Sequence, residues 1–242
     1  SVWIDLTDEG LDKKILLRSD GTSVYVTQDI GTAIHRHEDW PFDQLIYVVG
    51  AEQEYHFKVL FHVLRSLGYA WAEDLYHFSY GMVNLPDGKM KSREGTVVDA
   101  DDLIDMLSDL AKKEIVAKDR TDEVDDLDLT AEYIARAAIN YYLLQVSPGK
   151  DMIFDPAESI AFNGNTGPYL QYTGARLSSM IRKFEERADE FSAGSFDPNL
   201  ISSGDEWEVI KFVGEYPSVV ESAGKELNPT ALAIHLYNLA KT

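Results

Sequence analysis

The stretch QLIYVVGAEQEYHFKVLFHVLRSLG (44–68) decides the fold. Its first seven residues are a short, largely apolar run ending in Gly50, the pattern of a strand buried on both faces. From Glu54 to Leu67 the period changes. Phe57, Leu60, Phe61 and Leu64 recur at helical spacing, and Gly68 follows as a C-cap. YHFSYGMV (76–83) reads as the next strand. Strand, helix and strand in that order predict a parallel α/β unit with a right-handed crossover. Ligands of such sheets sit beyond the carboxyl ends of the strands. Chemistry is therefore expected just past those ends, at Gly50 to His56 and Asn84 to Thr96.

Outward from this unit, ILLRS (15–19) and SVYVTQ (23–28) read as two strands joined by a turn at Asp20, Gly21 and Thr22. A helix is expected from Asp29 to Asp39, ended by Trp40 and Pro41. A loop rich in Pro, Gly and Lys covers Leu85 to Gly95, and Asp99–Ala100 caps a helix expected to run through Ala111. From about Leu129 the pattern turns helical and stays so. Helices are predicted at Ala131–Gln145, Pro168–Glu190, Glu206–Glu215, Ser218–Glu226 and Pro229–Ala240, with a Ser/Gly/Pro/Asn-rich loop over Ser192–Gly204. The fold class is thus α/β followed by all-α.

Composition sets bounds on function. The 242 residues are 45% hydrophobic and 26% charged, ordinary for a globular protein. No apolar run approaches the ~20 residues that span a bilayer, and no partner membrane is expected. With no cysteine, disulfides and thiolate chemistry are excluded, and a reducing, cytoplasmic setting fits. The start, SVWIDLTDEG, has no basic or apolar leader pattern and no initiator Met. A formal charge of −20, from 42 acidic against 22 basic residues, argues on its own against a polyanionic partner. The cations are grouped, however: Lys89, Lys91 and Arg93 sit together, as do Arg176, Arg182 and Lys183. Local patches of this kind can bind RNA on an acidic protein.

Four stretches carry chemistry. DGKMKSREGT (87–96) is a Gly-flanked cationic loop after a parallel strand; it reads either as a polyphosphate clamp or as a solvated basic hairpin. LLRSDGTSVYVTQD (16–29) sets Tyr25 four residues before Asp29. The plain readings are an N-cap for Asp29 and a core aromatic for Tyr25. In YVVGAEQEYHF (47–57), Gln53 and His56 open a helix whose positive end faces the cleft. In NGNTGPYLQYTGARLSSMIRK (163–183), Thr166 and Pro168 start a helix, and Tyr169, Tyr172 and Arg176 recur along one face. That face can stack on bases and hold phosphate, or be plain core packing, and at least one tyrosine is expected in the core.

In this order and at comparable spacing, the four stretches resemble the arginyl-tRNA synthetases, class I enzymes, from about Lys14 to Lys241. The cationic loop is similar to their KMSKS loop. Lys89 and Met90 match it, Lys91 replaces the first Ser, Ser92 stands for the second Lys, and Arg93 for the final Ser. Family members commonly carry M-S-T-R-x-G-T there, close to Met90–Thr96. The resemblance implies ATP-dependent charging of tRNA(Arg) with L-arginine through arginyl-adenylate. It implies Lys89, Ser92 and Arg93 at the phosphates and Tyr25, Asp29 and Gln53 around the arginine. It further implies His56, Gly81, Met82, Val83, Lys89 and Met90 around ATP, with Tyr169, Tyr172 and Arg176 on tRNA. Mg²⁺ would arrive with ATP, and no protein-borne metal site or tightly bound cofactor is expected.

On this resemblance, residues 1–128 are the C-terminal half of the catalytic domain, and 129–242 a helical anticodon-binding domain lacking its last helices. The sheet is then a partial Rossmann-like parallel sheet. No HIGH motif occurs; the nearest histidine pair, His35 and His37, lies mid-helix. The chain is therefore expected to be a piece, inactive without the missing N-terminal half, with an exposed sheet edge and a monomeric parent. The competing expectations are a class I synthetase for another amino acid and a non-catalytic tRNA- or protein-binding module.

Overall fold

The computed structural model describes residues 1–86, 99–187 and 198–242. They form two compact units, Ser1–Met82 and Val83–Thr242.

In the first unit, β1 (Val2–Ile4) pairs antiparallel with β2 (Lys14–Leu17). The chain then turns at Gly21, whose φ of +83° suits glycine, while Asp20 Oδ1 accepts from both Thr22 N and Thr22 Oγ1. The expected second strand at 23–28 is not formed. Helix α1 runs Tyr25–Asp39, beginning four residues before the predicted start. Only Ser23 bridges to Leu17, and Thr27 Oγ1 donates to the Leu16 carbonyl. Helix wins because Val26, Ile30 and Ala33 share one face and bury together. Asp29 accordingly lies inside the helix and is not its N-cap.

The decisive stretch folds as read, with one correction. Strand β3 (Leu45–Gly50) leads through a short 3-10 turn, Ala51–Gln53, into α2 (Glu54–Ser66) and then β4 (Leu75–Tyr80). The two strands are parallel, in register from Leu45↔Leu75 to Gly50↔Tyr80. Gly68 follows the helix at φ +89°, with Gly68 N–H donating to Arg65 O and Tyr69 N–H to Leu64 O. Phe57, Leu60, Phe61 and Leu64 are buried, joined by Val59 and Val63. The strand is not buried on both faces. Leu45, Tyr47 and Val49 pack into the core, whereas Val48 is 63% exposed, because α2 covers one face only.

The second unit opens with β5 (Val83–Asn84), a separate strand and not the end of one running over 76–83. It pairs parallel with β6 (Met152–Ile153). Between them run α3 (Ala100–Ala117), six residues longer than predicted, and α4 (Leu127–Leu144). Leu107, Ala111 and Ile115 of α3 form one core with Ala131, Ile134 and Ala135 of α4 and with Phe154. Then follow α5 (Pro156–Ser159), α6 (Gly167–Glu185), α7 (Gly204–Lys225) and α8 (Thr230–Lys241). Helix α7 starts on a capping box between Ser203 and Glu206. It is one helix where two were predicted, with Pro217 inside it. Interior proline costs about 3 kcal/mol. On the turn before Pro217, His235 of α8 donates from Nε2 to Phe212 O at 3.0 Å and packs its ring on Phe212 and Tyr216. Among the described residues no helix is long and apolar enough to cross a membrane.

Tyr141 ties α4 to α8: its hydroxyl meets Asn165 Oδ1 and, at 3.1 Å, the Ala233 carbonyl. Burial, reinforced by Tyr237, pushes its phenol from the ordinary 10.0 up to about 12. The folded chain thus keeps a proton that the unfolded chain gives up first, so this group's contribution to stability is complete below pH 10 and is lost as pH rises through about 12. Phenolate absorbance should show a late-titrating tyrosine that Tyr141→Phe removes, and the same substitution should flatten the alkaline fall in stability.

Candidate active-site cleft

The site forms where β3 ends. Past Gly50 the 3-10 turn delivers Gln53 to the first turn of α2, and α1 lies alongside. Asp29 on α1 and His56 on α2, 27 residues apart, meet at 2.6 Å between Oδ2 and Nε2. A carboxylate can only accept, so Nε2 carries the proton. Around this pair lies a cleft of about 350 Å³ lined by Asp29, Thr32, Arg36, Tyr47, Val49, Gln53, His56 and Phe57. His77 contacts two of these lining residues: Nε2 donates to Val49 O at 2.9 Å, and the ring lies 4.4 Å from that of Phe57. The Arg36 guanidinium sits 5.8 Å from the Tyr47 ring. Burial raises the Tyr47 phenol, and Arg36 beside it partly offsets this.

The cleft thus offers a carboxylate, a carboxamide, an imidazole and a guanidinium on one apolar floor, a donor set for a polar ligand that carries charge. Of the residues expected around an amino acid, Asp29 and Gln53 line it, and His56 joins them. Tyr25 does not: it stands one turn before Asp29, 83% exposed. Thr32, Arg36 and Tyr47 were missed. Thr32 and Arg36 lie three and seven residues after Asp29, on one helix face, a spacing that the expected helix over Asp29–Asp39 already contained.

Gly81 and Met82 follow β4 at the end of the first unit, and Val83 begins the second; none of the three lines the cleft. Lys89, Met90, Ser92 and Arg93 lie outside the described residues. In the second unit, Thr166 caps α6 by accepting from Tyr169 N. The expected three-residue face divides. Tyr169 turns to α8, donating to Ala240 O at 3.2 Å and meeting Tyr237 edge-on. Tyr172 stays 43% exposed, with the Arg176 guanidinium 5.7 Å from its ring. One tyrosine is packing, and one aromatic–cation pair remains open.

Comparison with known proteins decides the family. Residues 2–156 match the model for the catalytic domain of class I (R) tRNA synthetases. The chain belongs to that family. Residues 170–242 match the DALR anticodon-binding domain, the companion domain expected from the arginyl-tRNA synthetase resemblance. The arginine–tRNA ligase of Treponema denticola is 60% identical over the whole chain, and that of Phocaeicola vulgatus 49%. The chain spans 41% and 40% of their respective lengths. Among solved structures, Thermus thermophilus arginyl-tRNA synthetase superposes with a TM-score of 0.80 at 25% identity, over 95% of this chain and 42% of that one. The α/β part followed by helices is thus the arginyl-tRNA synthetase fold.

Proposed function

We propose that the full-length protein containing this chain ligates L-arginine to tRNA(Arg) at the expense of ATP, through arginyl-adenylate. The observation that carries the reading is the gathering of Asp29 and Gln53 in one cleft beyond the carboxyl end of β3. Asp29 accepts the arginine guanidinium as a charge-assisted pair, and Gln53 adds a hydrogen bond. Tyr25, exposed one turn away, remains open to the same ligand. The arginine carboxylate attacks the α-phosphate of ATP, pyrophosphate leaves, and a ribose hydroxyl of the tRNA end then takes the arginyl group. No protein nucleophile is needed; catalysis is positioning and charge stabilisation.

Lys89, Ser92 and Arg93 serve the phosphates, Gly81, Met82, Val83 and Met90 the rest of the nucleotide, and Mg²⁺ comes with ATP. Tyr172 and Arg176 are the open pair for RNA, within a tRNA-binding part from about residue 129 onward. The setting is cytoplasmic and the parent a monomer. Citrulline tests the pocket, because it has arginine's shape without the charge. Calorimetry on the full-length protein should show arginine binding roughly 100-fold or more tighter than citrulline. Equal affinities would sink the charged pocket. Binding of tRNA with neither amino acid nor ATP would favour a non-catalytic module.

A further inference from the structure

We propose that His56 is a positioning residue for the amino acid: its Nε2–H fixes the Asp29 carboxylate in the orientation that receives a guanidinium. The inference rests on the arginine reading above and goes beyond it. The resemblance alone puts His56 beside ATP. The geometry points instead at the amino-acid side of the cleft, through the 2.6 Å bond to Asp29 Oδ2.

Asp29 needs such a holder. It lies inside α1 with its side chain 47% exposed, so nothing in the packing alone locks its rotamer. The same cleft holds Arg36, a second cation on the same helix face. A loose carboxylate there would exchange between solvent and that guanidinium. His56 is better fixed, its side chain 28% exposed. Its ring meets Phe57 edge-on at 5.7 Å, and Phe57 is buried against Tyr47 and Phe61. The orientation of the imidazole is therefore inherited from the core, and the bond passes it on to Asp29. A carboxylate has about four acceptor positions. One taken at Oδ2 leaves Oδ1 and a second Oδ2 lone pair, enough for the two parallel bonds of a guanidinium. Holding the acceptor in place before binding lowers the ordering cost of binding.

The test uses the full-length protein with arginine-dependent ATP–pyrophosphate exchange, for His56→Ala, His56→Gln, Asp29→Asn and the His56→Ala/Asp29→Asn double variant. His56→Ala should raise the KM for arginine roughly five- to tenfold, with kcat and the KM for ATP nearly unchanged. His56→Gln, which keeps an N–H donor, should recover most of the loss. In the Asp29→Asn background His56→Ala should cost much less than in the parent, because a residue acting through the Asp29 carboxylate has only one weaker acceptor left to position. A higher KM for ATP with an unchanged KM for arginine would overturn the proposal in favour of a nucleotide contact. So would additive losses in kcat/KM. Melting curves separate either result from misfolding. If Asp29→Asn leaves arginine activation intact, the pocket itself fails and this proposal falls with it. If Asp29→Asn is severe and His56→Ala silent, only the positioning role fails.

Discussion

Asp29→Asn should lower kcat/KM for arginine in the full-length protein by roughly 100- to 1000-fold while leaving the KM for ATP in place. The magnitude follows from what the substitution removes. Hydrogen bonds to a charged group contribute about 1.5–3 kcal/mol each, and a guanidinium makes two to one carboxylate. Asparagine keeps the size and one acceptor, but it turns an –NH₂ toward a ligand that carries only donors. One bond is lost and a donor–donor contact replaces it. The fold should not notice. Asp29 borders the buried face of α1, but its side chain is 47% exposed, and asparagine of the same size can still accept from His56. Pyrophosphate exchange reads the activation step, and calorimetry reads arginine binding directly. Unchanged arginine kinetics would remove Asp29 from the pocket and point to another class I substrate.

How much of this was legible in the sequence depended on whether a local period met competition. The strand–helix–strand unit was legible because Phe57, Leu60, Phe61 and Leu64 have a single consistent reading, and all four are buried. SVYVTQ was misread because β-branched and aromatic residues favour strands locally. The helix prevails through Val26, Ile30 and Ala33, whose shared face appears only when the residues beyond 28 are read with it. Pro217 misled because proline locally favours a helix end, yet α7 runs through it. No break in packing falls at Leu129: α4 begins at Leu127 and shares its core with α3, and β6 follows it. At the site, residue types were legible and directions were not. Asp29 was readable as a guanidinium acceptor only through the family resemblance, and its contact with His56 required α1 and α2 to be docked. Tyr169 and Tyr172 are three residues apart and indistinguishable by type, yet only Tyr172 remains open, because α8 covers the other.

Gly167→Ala should cost the second unit about 3 kcal/mol or more, enough to threaten its folding, whereas Gly174→Ala on the same helix should stabilise it slightly. Both are glycines of α6, and a propensity argument treats them alike, favouring alanine by up to about 1 kcal/mol. Their surroundings decide otherwise. A Cβ on Gly174 would meet nothing within 4 Å. A Cβ on Gly167 would lie 2.0 Å from the Ala137 carbonyl oxygen and 2.5 Å from its carbon. These are backbone atoms of α4, so no side chain can swing aside. Moving α4 would disturb Ala135 and Ala138, both fully buried, and the Tyr141 contact to Ala233. Moving α6 would pull Thr166 from its cap and the buried Pro168 from its seat. Overpacking of this kind costs about 1–3 kcal/mol where neighbours can relax, and more where they cannot. The glycine therefore sets how closely α6 approaches α4, and with it where Tyr172 and Arg176 stand. Urea unfolding of the two variants checks this directly. A Gly167→Ala midpoint equal to that of the unsubstituted chain would mean that the close approach of the two helices is not required.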